Sequence, residues 1–595
     1  MASPAPTARP SLPFRLVPAL DSLRRYSRAD ARGDLVAGLT VAAVAVPQAM
    51  AYSLVAGLPV EIGLYTAIVM TAVGAVFASS RLLINGPTNA ISIAVLSAIA
   101  IVPAERHVEA AILLALLVGA IQLAITLLRL GDLERYISHS VIVGFTFGAA
   151  CLLVLDQVKN LLGLAAVGDA HQHFLLRFWE TLSAGGPIHG PTMATGLGTI
   201  GVIVALRLAK QRLGWRLLPD LLLAVVLMGW LTAQLGLDQQ GVRVVGEIPR
   251  RLPAFATPRV DLDLARELAG GALAIAVLGL LEAISMAKAI AAASKEKLDM
   301  NQQCLSEGVA NLAGSFFHCF PGSGSLTRSA INQQAGASTQ WSGVVSAAAV
   351  ALTMLVFAPY ARFIPRAALA GILMVSAYNL VDWRALAYHV RTTRFDAAIV
   401  AATALSAVAV SVEFCVMIGV LMSFMLTVPR AGRMLLTEFV IAREGGAHER
   451  LPEDAACEQI LIFGLEGEMF FGATAALEEH FARIEGRVTP RTVVVLLRLK
   501  RARNPDAVGI TQLERFLERM RERGVEVLLC GVTRDFARRL DRSGLSAKLG
   551  ANLFLEQPVR LTSTALAVRR AYQLIPGPCE TCPHRAALAA QRAPV

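Results

Sequence analysis

Long apolar blocks separated by short polar turns dominate the chain. From about Leu35 to Val428, the apolar runs are roughly 15 to 25 residues long, which suits helices that cross a hydrocarbon core of ~30 Å. The pattern predicts a polytopic α-helical membrane protein with a transmembrane domain at residues 35–429. The polar insert at 164–192 is predicted to be a loop. The predicted spans are Leu35–Leu54, Gly63–Ala78, Val108–Leu128, Val141–Val158, Thr192–Leu208, Leu217–Leu235, Leu268–Ala292, Val344–Tyr360, Ala367–Leu380, Ala397–Ser411 and Cys415–Thr427.

Two further apolar runs are short and are broken by glycine and proline. One is Ile84–Ser92, with the sequence INGPTNAIS, and the other is Phe320–Gly336, with the sequence FPGSGSLTRSAINQQAG. Irregular backbone at membrane depth is tolerated only inside protein or beside a water-filled cavity. Two such breaks in corresponding positions of two halves are typical of a transporter site between inverted repeats. The alternative is a polar surface loop in which Arg328 reaches the lipid headgroups.

The residues at the two breaks favour an anion as the ligand. A helix that begins near Leu326 would direct unpaired N–H groups and its positive dipole end at the cavity, and the break before Thr88 would do the same. Hydroxyl groups add donors, and an arginine adds a permanent charge with a fork of donors. The predicted substrate-binding residues at the breaks are Thr88, Asn89, Ser325, Thr327 and Arg328.

Three polar residues lie within other spans. Gln48 and Tyr52 are one turn apart in a span that contains a proline, so both can face a common cavity. We predict that they bind substrate, with a helix–helix hydrogen bond as the alternative for Gln48. Glu282 lies deep in an apolar run, where a carboxyl group needs a partner or a proton. We predict that Glu282 couples protons, and the alternative is that it only links two helices.

Composition and charge exclude several classes of function. The chain of 595 residues is 55% hydrophobic and 17% charged, with a mean hydropathy of +0.56, which is too apolar for a soluble protein of this size. Its net charge of +11 comes from residues at loop ends and in the C-terminal region, where they face anionic lipid, so no nucleic-acid partner is expected. Basic residues from Arg24 to Arg32 precede the first span and predict a cytoplasmic N-terminal segment at residues 1–34.

The cysteines do not indicate a metal site. Most of the eight lie in apolar runs and are expected to be small core residues. Cys579, Cys582 and His584 supply fewer ligands than a closed zinc site needs. No metal or cofactor is predicted, and residues 576–595 are predicted to form a disordered tail.

The pattern changes after about Arg430, where charges become dense and apolar runs become short. Such runs, alternating with amphipathic helices, predict a small α/β domain at residues 430–575. The predicted strands are Gln459–Phe463, Val493–Leu497 and Val525–Cys530, and the predicted helices are Ala475–Ile484, Ile510–Glu522 and Arg534–Ser543.

Several short motifs occur in a specific order along the chain. They are Val46–Tyr52 (VPQAMAY), Glu61–Thr66 (EIGLYT), Ser80-Arg81, Glu282–Lys288 (EAISMAK), Asn301-Gln302 and Gly324–Asn332 (GSLTRSAIN). In this order the chain resembles the sulfate permease (SulP) family of anion transporters from about residue 34 to about residue 574. The resemblance implies fourteen transmembrane segments in a 7+7 inverted repeat, with half-helices third and tenth, at Thr88 and Leu326, and a cytoplasmic STAS domain after the last span.

One feature of related STAS proteins is missing. In related soluble antagonists, a phosphorylated serine follows an aspartate after the third strand, whereas here Ala507 follows Asp506. Ala507 has no hydroxyl group, so that phosphoswitch is absent at this position. The domain is expected to be a dimerisation or regulatory scaffold and not an enzyme.

The predicted function is secondary active transport of an inorganic oxyanion, sulfate first, with proton coupling and alternating access. The expected partners are the anion, protons, the lipid bilayer and a second copy in a homodimer. The expected location is the cell inner membrane, with both termini cytoplasmic. Bicarbonate, chloride or a dicarboxylate are alternative substrates, and exchange or an uncoupled channel is an alternative mode. A membrane anion sensor that signals through the STAS domain is the alternative from another class.

Overall fold

The structure is a computed structural model that describes residues 17–24, 26–128, 138–168, 172–214, 219–294, 296–410, 412–441, 447–454, 457–557 and 562–575. Its contacts divide the chain into two compact units, Met1–Ser423 and Phe424–Val595. The first sixteen residues of the predicted N-terminal segment lie outside the described residues. So does the predicted tail at 576–595, with Cys579 and Cys582.

Helices predominate among the described residues of the chain up to residue 431. Its helices in chain order are α1 (Pro18–Leu23), α2 (Arg28–Val55), α3 (Val60–Phe77), α4 (Asn89–Ile99), α5 (His107–Leu127), α6 (His139–Leu162), α7 (Phe174–Ala184), α8 (Gly190–Leu213), α9 (Asp220–Leu235), α10 (Leu262–Ser294), α11 (Met300–Ser315), α12 (Leu326–Gln334), α13 (Trp341–Phe357), α14 (Arg366–Leu380), α15 (Trp383–Thr392), α16 (Arg394–Ala409) and α17 (Val412–Ala431). Two strands of three residues, β1 (Ile84–Gly86) and β2 (Ser323–Ser325), pair antiparallel.

Many of these helices have the dimensions of membrane spans. Within the described ranges, eight are long and apolar enough to cross a membrane, namely α2, α3, α5, α6, α8, α10, α13 and α17. Three shorter helices, α4, α9 and α14, are also apolar. Each predicted span coincides with a helix whose ends differ by a few residues.

The start of α2 shows why the helix ends differ from the ends of the apolar runs. α2 begins at Arg28 because Ser27 and Asp30 form a capping box. Ser27 Oγ accepts from the Asp30 N–H at 3.1 Å, and Asp30 Oδ2 accepts from the Ser27 N–H at 3.0 Å. The cap starts the helix before the chain becomes apolar. Pro47 lies inside α2, which continues to Val55.

Some described helices are polar or amphipathic and fall outside the predicted spans, among them α7, α11 and α15. The prediction of a loop at 164–192 is wrong for Phe174–Ala184, which forms α7. α15 is also amphipathic. α11 carries many polar residues and packs against α3 and α5. A Cβ on Gly119 of α5 would lie 2.5 Å from the Leu312 backbone nitrogen of α11, so a glycine at this position allows the two helices to approach closely.

The second unit contains a six-stranded sheet with the order β4-β3-β5-β6-β7-β8. Its strands are β3 (Leu435–Ile441), β4 (Ala447–Glu449), β5 (Ile460–Glu468), β6 (Val494–Arg503), β7 (Glu526–Val532) and β8 (Leu553–Leu555). β3 pairs antiparallel with β4 and β5, and the strands from β5 to β8 are parallel. Its helices are α18 (Thr474–Arg487), α19 (Ala507–Glu522), α20 (Arg534–Arg542), α21 (Leu545–Leu549) and α22 (Thr562–Leu574).

Both faces of this sheet carry an apolar core. One core includes Phe481 of α18, Phe516 of α19 and Leu540 of α20, and the other includes Ala567 of α22. The three predicted strands and three predicted helices are present, so an α/β architecture is confirmed for the described part of this unit. The sequence did not indicate β3, β4 or β8.

Candidate functional site

The two broken segments cross each other within the first unit. β1 and β2 pair with Ile84 opposite Ser325 and Gly86 opposite Ser323. The chain enters α4 shortly after β1 and enters α12 directly after β2. The pairing satisfies backbone groups that would be costly to bury unpaired. It brings together the N-termini of α4 and α12, which we call the two half-helices.

Side chains attach the crossing to its neighbours. Ser323 Oγ donates to the Gly279 carbonyl oxygen of α10 at 2.7 Å. Ser329 Oγ of α12 accepts from the Ile84 N–H at 2.8 Å. The crossing is therefore fixed both to α10 and to the first turn of the second half-helix.

Thr88 caps the first half-helix and connects it to Glu282. Its hydroxyl oxygen accepts from the Ile91 N–H at 3.4 Å, and its O–H donates to Glu282 Oε2 at 3.1 Å. Thr88 is buried, whereas Glu282 on α10 is partly exposed. The structure thus places the carboxyl group of Glu282 at the N-terminus of α4.

Arg328 lies in the first turn of the second half-helix and is completely buried. Its Nη2 donates to the Pro87 carbonyl oxygen at 2.9 Å, so it spans from one half-helix to the segment before the other. Its Nε and Nη1 have no hydrogen-bond partner among the described residues. Buried donors are costly when they are unused, and a guanidinium binds oxyanions well. These two donors are therefore suited to an anion that reaches them.

Gly86 makes room for the Arg328 guanidinium. A Cβ on Gly86 would lie 3.1 Å from Nη1 and 3.2 Å from Nη2. The residue also has a φ of +141°, which residues with a side chain rarely adopt. Both observations explain why a glycine occupies the end of β1.

α2 supplies another side of the site. It packs against both half-helices and carries the predicted residues Gln48 and Tyr52, which are buried. Gln48 Oε1 has no hydrogen-bond partner within the part of the chain that the structure describes. The charges of Arg328 and Glu282 act on the Tyr52 hydroxyl group. Tyr52 therefore lies close to the charged groups of the site.

The remaining predicted residues differ in their exposure. Asn89, the first residue of α4, is buried, and neither atom of its amide group has a partner in the described ranges. Ser325 caps α12 by accepting from the Arg328 N–H at 3.5 Å and is half-buried. Thr327 is exposed. In the first turn of α12, Thr327 is thus exposed and Arg328 is buried.

A row of polar residues on α11 was not among the predicted site residues. Gln303, Glu307 and Asn311 follow one another at intervals of four along the helix, and all three have no exposed surface. Residues at this spacing share one helix face. That spacing is the signal in the sequence that could have identified them.

The groups that the site brings together are of the kind that bind anions, and Glu282 adds a carboxyl group beside them. The site offers helix N-termini, hydroxyl groups, amide groups and a guanidinium. The described residues include no group of three or more His, Cys, Asp or Glu side chains that could hold a metal ion.

Comparison with known protein families finds matches over most of the chain. A model of the sulfate permease family matches residues 32–403, and a model of the STAS domain matches residues 452–559. Sulfate transporter 4.1, chloroplastic, from Arabidopsis thaliana is 31% identical over 542 residues, which cover 88% of this chain and 78% of that protein.

Solved structures share the fold. The murine Solute Carrier 26 family member A9 anion transporter, in the inward-facing state, matches with a TM-score of 0.84 at 20% identity, over 96% of each chain. The transmembrane domain of a cyanobacterium bicarbonate transporter, BicA, matches with a TM-score of 0.56 at 23% identity, over 67% of this chain and 98% of that one. The architecture is therefore a helical membrane region followed by a STAS domain.

Proposed function

This chain belongs to the sulfate permease family, and on that premise we propose that it is a secondary active transporter that carries sulfate together with protons. The observation that carries the proposal is the buried Arg328, whose Nε and Nη1 donors are unused where the two half-helices meet. The Arabidopsis relative is named a sulfate transporter, which supports sulfate as the first substrate to test. A transporter changes no covalent bond, so no enzymatic activity is proposed.

The anion would bind between the N-termini of the two half-helices. Thr88 and Asn89 would contact it from α4, and Ser325, Thr327 and Arg328 would contact it from α12. Gln48 and Tyr52 of α2 would close the site from one side. Helix N-termini and a guanidinium each favour an oxyanion, and together they offset the loss of its hydration shell.

Glu282 would couple this site to protons. Its carboxyl group accepts from Thr88, which caps the half-helix that would hold the anion. An ionised Glu282 repels a sulfate dianion, whereas a protonated one does not. Proton binding and sulfate binding then favour each other, with a coupling free energy of about 1–3 kcal/mol in typical linked sites.

The proposed architecture is a 7+7 inverted repeat of fourteen segments. The first set is α2, α3, β1 with α4, α5, α6, α8 and α9. The second set is α10, α11, β2 with α12, α13, α14, α16 and α17. Contacts recur between corresponding helices, which supports this assignment: α2 packs on α13 as α10 packs on α5, and α4 packs on α10 as α12 packs on α2. Movement of one helix group against another would expose the site to each side in turn.

We further propose the placement of the chain in the cell. The transmembrane domain at 35–429 would lie in the inner membrane, with the segment 1–34 and the STAS domain at 430–575 in the cytoplasm. The basic residues before α2 support this orientation. The STAS domain would act as a scaffold in a homodimer.

The test is uptake of labelled sulfate into proteoliposomes, with and without an inward proton gradient. We expect the gradient to stimulate uptake by the wild type, and we expect Glu282→Gln to lose this stimulation. Glu267→Gln, the same change at an exposed position of α10, is the matched control and should behave as the wild type.

Other outcomes would replace parts of the proposal. Flux of bicarbonate, chloride or a dicarboxylate without sulfate uptake would change the substrate and keep the site. Sulfate flux that ignores the proton gradient and follows voltage alone would indicate a channel. Sulfate binding without any flux would favour an anion sensor.

A further inference from the structure

A second carboxyl group, that of Glu307, is buried on α11 with no exposed surface. Its Oε1 accepts from Gln303 Nε2 at 3.2 Å. The Asn85 amide approaches this carboxyl group, but no described residue makes a hydrogen bond of ordinary geometry to Glu307 Oε2. An ionised carboxylate with so few donors is costly to bury. A protonated carboxyl group in the same place is much less costly.

Asn311, one turn further along α11, connects this helix to the site. Asn311 Nδ2 donates to Gln122 Oε1 of α5 at 2.9 Å and to the Gly322 carbonyl oxygen at 3.1 Å. Its Oδ1 accepts from the Gly322 N–H at 3.0 Å. Gly322 immediately precedes β2, so α11 is bonded directly to the segment that forms the crossing.

Glu307 and Glu282 lie at a similar level of the structure. Gln122 lies between α10 and α11, because it bonds Asn311 on one side and a Cβ on Gly279 would lie 3.1 Å from its Nε2 on the other. Glu282 follows Gly279 by one turn, and Glu307 precedes Asn311 by one turn. Both carboxyl groups thus lie on the side of Gln122 that is nearer to the connection between α10 and α11. When both are ionised, their charges repel each other.

Polar contacts lead from Glu307 towards an exposed residue. The Ser80 N–H donates to Gln303 Oε1, and Ser80 Oγ donates to Glu296 Oε2, both at 3.3 Å. Glu296 Oε1 accepts from the Arg81 N–H at 2.8 Å. The Arg81 side chain is 64% exposed and that of Glu296 is 11% exposed. Glu307 is therefore connected to a polar edge of the unit and is not isolated in apolar packing.

The groups around Glu307 decide its response to pH. Of the described charged residues, Glu282 on α10 is the one that acts on it, and Glu296 and Arg81 lie at the far end of the polar contacts. Asn85 of β1, which approaches Glu307, is neutral. From α5, the neutral Gln122 bonds to Asn311, and α3 contributes the Gly74 carbonyl oxygen to Ser306 on α11. The Arg81 cation pairs with Glu296, and no cation among the described residues bonds to Glu307 itself.

We propose that Glu307 is a second proton-binding site of the transport cycle, coupled to Glu282. The inference deepens the proposed function and rests on it for the role of the proton. Two carboxyl groups that repel each other give up their protons one after the other, as a pair. With both protonated, the protein would carry two protons for the two charges of a sulfate ion. Each proton comes from water on the loading side and returns to water on the release side, and no bond other than the carboxyl O–H forms or breaks.

The first test does not depend on transport. Infrared difference spectra of the purified full-length protein over a pH titration detect the C=O stretch of protonated carboxyl groups. We expect two components that disappear with rising pH, one from each carboxyl group, and we expect one of them to be missing in Glu307→Gln. In Glu282→Gln, the midpoint of the remaining component should fall by about one pH unit, because the neighbouring like charge is removed. Glu267→Gln should leave both components unchanged.

The second test measures protons carried per sulfate ion in proteoliposomes. We expect the ratio to fall by about half in Glu307→Gln, which keeps the size of the side chain, while gradient-stimulated sulfate uptake persists. Carboxyl bands of Glu307→Gln that match those of the wild type, or an unchanged midpoint in Glu282→Gln, would overturn the proposal, as would an unchanged ratio. Lack of gradient stimulation in the wild type would instead contradict the proposed function, and the infrared titration would still decide whether Glu307 binds a proton.

Discussion

Arg328 and Gly86 determine how the N-termini of the two half-helices fit together. The guanidinium bonds to Pro87 and occupies the space next to Gly86 that any other residue would fill with a side chain. In the proposed mechanism the arginine therefore has two roles, because it holds the crossing together and keeps two donors for the anion. Lysine could not fill both, since it carries a single ammonium group in place of a planar fork.

Gly86→Ala should reduce sulfate transport strongly. The new Cβ would lie 3.1 Å from Arg328 Nη1 and would strain a backbone with a φ of +141°, at a typical cost of about 1–3 kcal/mol. We expect sulfate uptake to fall by about tenfold or more. Gly201→Ala, at a helical position where a Cβ meets open space, is the control. Wild-type uptake by Gly86→Ala would show that Arg328 does not need this space.

The sequence indicates some of these residues clearly and others only weakly. Arg328 and Thr88 could be predicted because breaks in an apolar run are conspicuous and have few explanations in a membrane. Glu307 was missed because α11 has no apolar run in which a carboxyl group would stand out, and its only signal is the four-residue spacing that it shares with Gln303 and Asn311. The exposure of Thr327 also could not be predicted, since it depends on how α12 is oriented.

The helices, like the site residues, could be predicted only where the sequence carries a clear pattern. Helix faces that contact lipid must be apolar, so the predicted spans coincide with helices. The ends of these helices depend instead on caps, such as Ser27 at α2. α11 packs against α3 and α5 and buries polar side chains. Because protein surrounds that face, α11 did not need to be apolar, and its sequence did not predict a span. β4 and β8 are strands of only three residues, too short to give an alternating pattern.

In the α/β unit, Asp506 is the residue that starts α19. Its Oδ1 accepts from the Gly509 N–H at 2.8 Å, and its Oδ2 accepts from the Phe471 N–H at 2.7 Å. The aspartate next to Ala507 thus has a structural role as a helix cap. This role does not require the hydroxyl group that Ala507 lacks.

Asp506→Ala should loosen the first turn of α19. Loss of an N-cap costs about 1 kcal/mol, so we expect the amide hydrogens at the start of α19 to exchange about fivefold faster. Hydrogen–deuterium exchange with mass spectrometry on the full-length protein measures this directly. Asp535→Ala, which removes an exposed carboxylate from the first turn of α20, is the control. Unchanged exchange in Asp506→Ala would mean that other contacts hold α19 in place.

In the whole molecule, the candidate site at the two half-helices lies where the two proposed repeats meet. Each repeat contributes one half-helix, and Glu282 and Arg328 both come from the second repeat while Thr88 and Pro87 come from the first. Their contacts cross from one repeat to the other. The sequence indicated the two breaks and the change to an α/β domain. It could not fix the number of segments, because polar α11 and the half-helices do not resemble full spans.

The central claim is that sulfate binds at Arg328, and sulfate binding to Arg328→Ala tests this claim directly. Isothermal titration calorimetry on purified full-length protein measures this affinity without any need for transport. Hydrogen bonds to charged groups contribute about 1.5–3 kcal/mol, so we predict that Arg328→Ala binds sulfate about tenfold or more weakly than the wild type. Arg266→Ala, which removes an exposed arginine paired only with Asp263 among the described residues, should bind as the wild type does. Undiminished sulfate affinity in a monodisperse Arg328→Ala protein would contradict the account and place the anion elsewhere.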